Sequence, residues 1–288
     1  MTRVAYVTAG TTGAGHQVRG LALRRGLERA GFKGEFSLLG PAHAFAGLPQ
    51  PDVPITVPPE AFRNIRTAAA SDLAETLRAL EPDLLLVDLF WLPIQQILAT
   101  LPIPGWLLTR AASPWFLAGP KGIPFYPPAF ARRIAIEPFP LPFAAEYCDP
   151  IVVTNPDEHA PPGELRRLLG TAEHAPLRII AHGGMPGEVA TLQAYAEKGC
   201  VGPWQVLDLR TDGALFPAAR LLGQADTVAL GGGYNSVWEA HWMGYRARAI
   251  LHPFARPIDD QEWRVRASAA HVFKENGADT IARWITSA

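Results

Sequence analysis

The sequence predicts an α/β fold of two domains, each built on a doubly wound parallel sheet. This prediction depends on a unit of strand, glycine-rich loop and helix that opens the chain over residues 3–30. The unit recurs over residues 177–198, and again over residues 226–243. Its loop amides and helix N-terminus are typical of sites that bind an anion. We expect the first domain to span residues 1–155 and the second to span residues 156–288.

The composition is that of a globular protein without a strong charge. Of the 288 residues, 48% are hydrophobic, and the formal net charge is −1. Such a chain can bury a substantial core, and it has no general attraction to nucleic acid, so no nucleic-acid partner is predicted. Cys148 and Cys200 stand apart, without a disulfide or metal-binding spacing. The cysteine usage, the lack of a signal-peptide pattern and the lack of an apolar run of ~18 residues together predict a cytoplasmic protein.

The first unit begins with the apolar strand Arg3–Thr8 and continues, after the loop, into a helix over Gln17–Ala30. Leucines recur on one side of this helix, as expected for a face that packs on a sheet. The loop ends in the pattern Gly-x-Gly-His-x-x-Arg, formed by Gly13, Gly15, His16 and Arg19. This pattern is not the dinucleotide fingerprint, and no acidic residue clearly ends the next strand, so an NAD site is not predicted.

Three more strands are predicted in the first half, where short apolar runs are bounded by turn residues: Phe36–Leu39, Leu84–Val87 and Gly105–Thr109. A proline- and alanine-rich loop over 40–59 precedes a helix over 61–80, which a Glu-Pro-Asp sequence ends.

Residues 113–143 are crowded with prolines and aromatic side chains. Prolines exclude a long helix and limit sheet structure, so an irregular connection is predicted, with its aromatic side chains packed on the domain. The alternative is an acceptor groove or a membrane-facing surface, although few basic residues support lipid binding. A strand is predicted at Pro150–Thr154, and the polar, proline-rich stretch after it marks the domain boundary.

The second half alternates strands and helices. Strands are expected at Leu177–Ala181, Gln205–Leu209, Asp226–Leu230 and Ala247–Leu251. Helices are expected at Glu188–Lys198, Tyr234–Met243, Asp260–Asn276 and Ala278–Ser287, with an amphipathic stretch at Leu215–Gly223. Gly244 suits the end of the helix that precedes it.

The segment Gly232–Ala240, with sequence GGYNSVWEA, is followed by Gly244, Pro253, Asp260 and Gln261. This arrangement resembles the donor-binding end of GT-B glycosyltransferases, above all the MurG-like group. The resemblance covers about forty residues and is weak elsewhere, except near the N-terminus. It implies two Rossmann-like domains with a cleft between them, and a last helix that crosses back to the first domain. It also implies a nucleotide-sugar donor, with UDP preferred.

The same resemblance assigns roles to individual residues. The loop glycines Gly232 and Gly233 would face the diphosphate, Glu239 would hold the ribose diol, and Asp260 with Gln261 would contact the donor sugar. In the second glycine loop, backbone contacts to phosphate are expected, although Met185 stands where a small hydroxyl residue belongs. His182 either senses phosphate or lies buried at the strand end. The predicted nucleotide-sugar site comprises Gly13, Gly15, Gly183, Gly184, Gly232, Gly233, Asn235, Ser236, Glu239, Asp260 and Gln261.

His16 is the predicted catalytic residue. Glycosyl transfer removes a proton from an acceptor hydroxyl, or from water, as the oxygen attacks the anomeric carbon. An imidazole with a pKa near ~6.5 suits this role. The alternative is that His16 caps the helix or forms a hydrogen bond with the loop. Arg19 and Asp88 are secondary candidates. Arg19 would orient a substrate, pair with a carboxylate or face solvent, and Asp88 would orient His16, contact the acceptor or cap the next helix.

No cofactor and no metal are predicted, since the sequence contains no Asp-x-Asp pair; the donor is a co-substrate. We rank a glycosyltransferase with an unidentified acceptor first. A UDP-sugar hydrolase of the same fold is second, because one such group also carries Gly-x-Gly-His-x-x-Arg. A non-catalytic nucleotide-sugar-binding protein is third. The sequence does not specify an oligomeric state.

Overall fold

The strands of the protein form two parallel sheets in the computed structural model, which describes residues 1–8, 14–56, 65–119, 123–185 and 187–287. The first sheet contains β1 (Arg3–Val7), β2 (Glu35–Gly40), β3 (Val53–Pro54), β4 (Leu84–Asp88), β5 (Gly105–Thr109), β6 (Arg132–Ala135) and β7 (Glu146–Tyr147). The second contains β8 (Arg178–His182), β9 (Gln205–Asp208), β10 (Thr227–Gly231) and β11 (Ala249–His252).

Helices connect these strands and cover the sheets. They are α1 (Gly15–Arg29), α2 (Ile65–Ala69), α3 (Asp72–Leu80), α4 (Trp91–Leu98), α5 (Pro114–Ala118), α6 (Glu164–Leu169), α7 (Glu188–Gly199), α8 (Ala219–Leu222), α9 (Tyr234–Trp242), α10 (Gln261–Ser268) and α11 (Gly277–Thr286). None of these described helices has both the length and the apolar character needed to cross a membrane.

The strand order places the ends of particular strands next to each other. The first sheet runs β3-β2-β1-β4-β5-β6-β7, and the second runs β11-β10-β8-β9. In the first sheet, β2 lies on one side of β1 and β4 lies on the other. In the second sheet, β9 lies on one side of β8 and β10 lies on the other. A crevice opens at the carboxyl ends of strands at such a switch point. The carboxyl ends of β1, β4, β8 and β10 are therefore positioned to border a site.

The hydrophobic core is continuous between the two halves. Strand β4 is buried along its full length, as expected for a strand covered by helices on both faces. On one side of the first sheet, Leu23 and Leu27 of α1 pack in one cluster with Tyr234 and Trp238 of α9. The second half has a further core of its own around β8 and β10. Helix α9 is thus packed against both sheets.

The final helix lies against the first domain. Ile281, Ala282 and Ile285 of α11 are buried in the cluster that contains the leucines of α1. Arg29 forms an ion pair with Asp279 at 2.7 Å at the end of this contact. The chain therefore returns to its first half after completing the second sheet. The predicted boundary between residues 155 and 156 lies between β7 and α6 and stays a prediction.

Two predicted segments of the first half differ from the structure. The strand predicted at Pro150–Thr154 is wrong, because side chains of the second half take up its backbone groups: Tyr234 Oη accepts from Ile151 N–H at 2.7 Å, and Asn276 Oδ1 accepts from Val152 N–H at 3.2 Å. The irregular stretch predicted at 113–143 contains β6, which pairs with β5 despite the surrounding prolines.

Two predicted helices are shorter than expected. Of the helix predicted at 61–80, the described part is divided into α2 and α3 at Ser71, whose hydroxyl caps α3 by accepting from Ala74 N–H at 3.2 Å. The helix predicted from Asp260 to Asn276 ends at Ser268. Beyond it, the backbone N–H of Lys274 donates to Asp149 of the first half at 2.8 Å, which holds the chain out of helical geometry.

The close approach of α1 and α11 generates a prediction about Gly26. A Cβ at this position would lie 2.7 Å from the carbonyl oxygen of Ala278. We expect Gly26→Ala to force the helices apart and to lower the free energy of unfolding by about 1–3 kcal/mol in urea titrations. The matched control is Gly199→Ala in α7, where a Cβ meets nothing within 4 Å. That variant should be unchanged or slightly more stable, and equal losses in both variants would contradict the proposed packing.

Candidate functional site

A cavity of about 300 Å³ lies between the two domains. The first domain contributes the start of α1, residues 45–48 and Arg110, and the second contributes the loops after β8, β9, β10 and β11. Among the predicted site residues, those that line it are Gly15, His16, Arg19, Gly183, Gly184, Gly233, Asn235, Ser236, Glu239 and Gln261. Most of the residues predicted to form the site therefore line one cavity in the structure.

His16 and Asp88 form a hydrogen-bonded pair at the first-domain wall. His16 is the second residue of α1, and Asp88 ends β4, the neighbour of β1. The distance from His16 Nδ1 to Asp88 Oδ2 is 3.0 Å, and the Asp88 side chain is fully buried. The hydroxyl of Tyr6 contacts the same oxygen. Asp88 does not cap α4, because the chain enters that helix through Phe90 without a side-chain cap.

Arg19 holds the carboxylate of Asp88 through two hydrogen bonds. Its Nε and Nη2 donate to the two carboxylate oxygens at 3.0 and 3.1 Å, and the guanidinium lies 4.6 Å from the centre of the Tyr234 ring. Burial would raise the pKa of Asp88, but the charges of Arg19 and His16 outweigh it and hold that pKa below its usual range. Asp88 is therefore an anion that requires both partners.

The imidazole of His16 is neutral at physiological pH. Burial lowers its pKa, the charge of Arg19 adds to this effect, and the carboxylate of Asp88 opposes it. Nδ1 also lies 2.8 Å from Arg19 Nη2. The contact with Asp88 requires the imidazole proton on Nδ1, whereas the contact with Arg19 requires a lone pair there, because a guanidinium only donates. A catalytic base requires the first of these tautomers, with the proton on Nδ1. This tautomer leaves Nε2 as a proton acceptor.

The N-terminus of α9 lies on the opposite wall. Gly233 is the N-cap residue and no side chain caps the helix. The first turn, Tyr234 to Ser236, lines the cavity, and its backbone N–H groups precede the first bond within the helix, from Val237 to Gly233. Unsatisfied N–H groups and the positive end of the helix dipole favour an anion at this position. Asn235 joins the two walls by donating from Nδ2 to the carbonyl of Gly15 at 3.2 Å.

Glu239 stands one turn further along α9 and lines the same cavity. Its carboxyl group has no hydrogen bond or ion pair with any residue that the structure describes. Burial raises the pKa of Glu239 to about 8. A partly buried acid without a partner among the described residues is available to bind a ligand.

Two predicted donor-site residues lie elsewhere. Gly232 is absent from the cavity wall as described, and its N–H donates to the carbonyl of His252 at 2.8 Å, so this N–H is not free for the predicted contact with a diphosphate. Asp260 caps α10 by accepting from Trp263 N–H at 2.9 Å, and the preceding Asp259 lines the cavity instead. Gly13 lies outside the described residues.

Gln261 and the second glycine loop keep their predicted places. Gln261 lines the cavity, and its Oε1 accepts from the backbone N–H of Phe254 at 2.9 Å. In the loop after β8, Gly183 and Gly184 face the cavity beside His182. His182 is buried at the end of β8, which is one of its two predicted positions, and its Nε2 lies 2.8 Å from a carboxylate oxygen of Glu188.

A buried ionic cluster at the back of the cavity was missed from the sequence. Arg264 Nη2 lies 2.6 Å from Asp259 Oδ1 and 3.1 Å from Glu137 Oε2, and Arg110 also pairs with Asp259. The cluster joins the two domains, because Arg110 and Glu137 follow β5 and β6 whereas the other members belong to the second half. A signal was present: each of these two residues follows a strand closely, as Asp88 ends β4.

The described residues contain neither a cluster of metal ligands nor a disulfide. In the described part of the chain, no group of three or more His, Cys, Asp or Glu side chains is arranged to hold a metal ion. Cys148 and Cys200 are free thiols.

Comparison with known proteins identifies the fold. No protein-family model and no curated protein matches the chain. Among solved structures, the spinosyn forosaminyltransferase SpnP is similar with a TM-score of 0.63 at 13% identity, over 99% of this chain and 95% of that one. The glycosyltransferase SsfS6 of Streptomyces sp. SF2575, complexed with thymidine diphosphate, has a TM-score of 0.53 at 14% identity over 100% of both chains.

MurG of Acinetobacter baumannii is also similar, with a TM-score of 0.50 at 15% identity over 100% of both chains. Identities this low show a shared fold. The chain has the GT-B fold of two Rossmann-like domains, so the predicted fold class and the predicted likeness to GT-B glycosyltransferases, MurG included, are confirmed.

The buried pair of Asp88 and Arg19 generates a stability prediction. Asp88→Asn leaves Arg19 buried without its counter-charge and should lower the free energy of unfolding at pH 7 by about 3–5 kcal/mol. Because the folded-state pKa of Asp88 is depressed, its contribution is present above its unfolded pKa of ~3.9 and is lost as pH falls below that value. The variant should therefore lose less stability than wild type between pH 5 and pH 3 in denaturant titrations.

The control for this experiment is Asp279→Asn, which removes one member of the partly exposed pair with Arg29. Partly exposed pairs contribute about 0–1 kcal/mol. A loss at Asp88 no larger than the loss at Asp279 would contradict the view that Asp88 is an obligatory anion.

Proposed function

We propose that the protein is a glycosyltransferase that moves a sugar from a nucleotide-diphosphate donor to an acceptor hydroxyl. The observation that supports this most is the composition of one cavity. It combines a neutral imidazole backed by a carboxylate, from the first domain, with an uncapped helix N-terminus and an unpaired carboxyl group, from the second. The first pair suits proton removal, and the second suits a nucleotide diphosphate. The GT-B fold agrees with this proposal, but a fold hosts many reactions.

The donor would lie along α9. The carboxylate of Glu239 accepts hydrogen bonds from the two hydroxyls of the ribose diol. The first-turn N–H groups of α9 bind the diphosphate, together with the backbone N–H groups of Gly183 and Gly184. The sugar then extends towards Gln261 and the imidazole of His16. The thymidine diphosphate in the structure of SsfS6 supports a nucleotide diphosphate as ligand. UDP as the preferred nucleotide stays a prediction.

In the reaction, the acceptor oxygen forms a bond to the anomeric carbon while the bond from that carbon to the diphosphate oxygen breaks. His16 Nε2 takes the acceptor proton, and Asp88 stabilises the imidazolium that results. The nucleotide diphosphate leaves with the electron pair of the broken bond. The amides of α9 stabilise its negative charge, which supports a mechanism that needs no metal ion.

A UDP-sugar hydrolase remains the second candidate. The Gly-x-Gly-His-x-x-Arg pattern favours it, and the structure gives that pattern a role, since His16 and Arg19 bind the same carboxylate. In a hydrolase, water would replace the acceptor. The non-catalytic alternative predicts nucleotide binding without turnover. The cytoplasmic setting and the absence of a nucleic-acid partner stay predictions.

The proposal is tested with purified protein and UDP- and TDP-sugars. In the absence of an acceptor, we expect the nucleotide to bind in calorimetry with little release of sugar, and release begins when an acceptor alcohol is supplied. His16→Ala should lower turnover by about 10²–10⁴-fold while the nucleotide affinity stays unchanged. Rapid release of free sugar without acceptor would identify the hydrolase. Absence of any nucleotide binding would overturn the proposal.

The raised pKa of Glu239 generates a second test. The free acid is protonated below about pH 8, whereas hydrogen bonds from the ribose diol favour the ionised form and lower its pKa in the complex. Nucleotide affinity should therefore rise with pH between pH 7 and pH 8 and level off above that value. Glu239→Gln should remove this dependence and weaken binding at pH 8.5. Calorimetry with UDP measures both, and a pH-independent wild type would contradict the assigned role.

A further inference from the structure

The arginines that line the cavity differ in how firmly they are held. Arg19 and Arg110 have side chains only 2% and 9% exposed, and they pair with the carboxylates of Asp88 and Asp259, which are 0% and 15% exposed. Arg256, on the loop after β11, is 24% exposed. Its Nη2 contacts Glu188 Oε1 at 2.5 Å, its Nη1 donates to the carbonyl of Ala255 at 3.2 Å, and its guanidinium lies 5.4 Å from the centre of the Phe254 ring. Arg256 is therefore the cavity arginine that can turn most freely.

Glu188, the partner of Arg256, does not depend on it. Its second oxygen, Oε2, lies 2.8 Å from His182 Nε2 and accepts from the backbone N–H of Met185 at 2.9 Å. Glu188 also lies in the first turn of α7, where the helix dipole favours a negative charge. If Arg256 turned away, the carboxylate would still have donors at one oxygen. The departure of Arg256 therefore leaves no buried charge without a partner.

The positions around this pair fit an exchange. Arg256 and His182 line the cavity, whereas Glu188 lies behind them. Arg256 thus borders the space that the donor would occupy. A planar guanidinium matches two oxygens of a phosphate as well as it matches a carboxylate. The free cavity holds its arginines neutralised by Asp88, Asp259 and Glu188, and a diphosphate adds negative charge that these pairs do not balance.

We propose that Arg256 is an exchangeable counter-ion: Glu188 holds it in the free protein, and the diphosphate of the bound nucleotide takes it over. This proposal rests on the proposed function and names a residue that recognises the diphosphate and then stabilises it as leaving group. Glu188 is a positioning residue, which keeps Arg256 at the cavity and competes with the ligand for it. His182 and the amide of Met185 retain Glu188 when the exchange occurs.

The exchange predicts opposite effects for the two members of the pair. Arg256→Ala should weaken binding of UDP or TDP by about 10- to 100-fold, the range for a charge-assisted hydrogen bond. Glu188→Gln should tighten binding by several-fold, because it removes the competitor for the guanidinium. In the double variant, Glu188→Gln should give no further gain, because the residue it releases is gone. Uridine and thymidine, which carry no phosphate, should bind all variants equally.

The matched control is Arg283→Ala, which breaks the arginine–glutamate pair with Glu275, remote from the cavity. It should leave the affinity unchanged. A purely structural pair would weaken binding in both single variants, and through-space repulsion alone would let Glu188→Gln tighten binding in the Arg256→Ala background as well. Either result overturns the exchange while the proposed function stands. If wild-type protein binds neither UDP nor TDP nor inorganic pyrophosphate, both proposals fail.

Discussion

The buried carboxylate of Asp88 is the constraint on which the site depends. A fully buried anion at the end of a central strand is unfavourable unless several donors surround it. Arg19 and His16 supply those donors from the first turns of α1, and Tyr6 supplies a hydroxyl from β1. Satisfying one charge thus fixes the start of α1 against the sheet, and with it the imidazole that faces the cleft. The hydrogen bonds that stabilise the buried carboxylate of Asp88 are therefore the same ones that position the imidazole of His16.

Contacts between the two domains hold the α9 wall of the cavity in place relative to the wall that contains His16 and Asp88. The ring of Tyr234, in the first turn of α9, lies under the guanidinium of Arg19, and its hydroxyl bonds to backbone groups of the first half. Arg264 and Glu137 extend the connection along the back of the cavity. Because α9 packs against both sheets, its N-terminus and Glu239 keep a fixed position relative to His16. Such preorganisation suits a reaction that develops charge at defined atoms.

Local patterns in the sequence were sufficient to predict the fold and to choose residues of which most line one cavity, and the differences arise where a single hydrogen bond decides. Gly232 and Gly233 are indistinguishable in sequence, but parallel pairing with β11 commits the N–H of Gly232 to His252. Likewise, Asp260 caps a helix and Asp259 faces the cavity, a difference of one residue set by where α10 begins. The positions of Arg110 and Glu137 after strands were visible in the sequence, but their pairing with Arg264 and Asp259 depends on contacts between residues far apart in the chain, which no local pattern encodes.

The charge balance of the free cavity has a physical reason. An arginine left unpaired in a partly buried cleft loses hydration without gaining a partner, so a site for a polyanion cannot simply expose several free cations. In this protein, internal carboxylates neutralise the arginines, and the acid of Glu239 stays protonated near neutral pH. Each of these three arginines therefore has a counter-charge in the free protein. A phosphate-bearing ligand must then be recognised by amides, by helix ends and by whichever ion pair can be opened without leaving its other member unpaired.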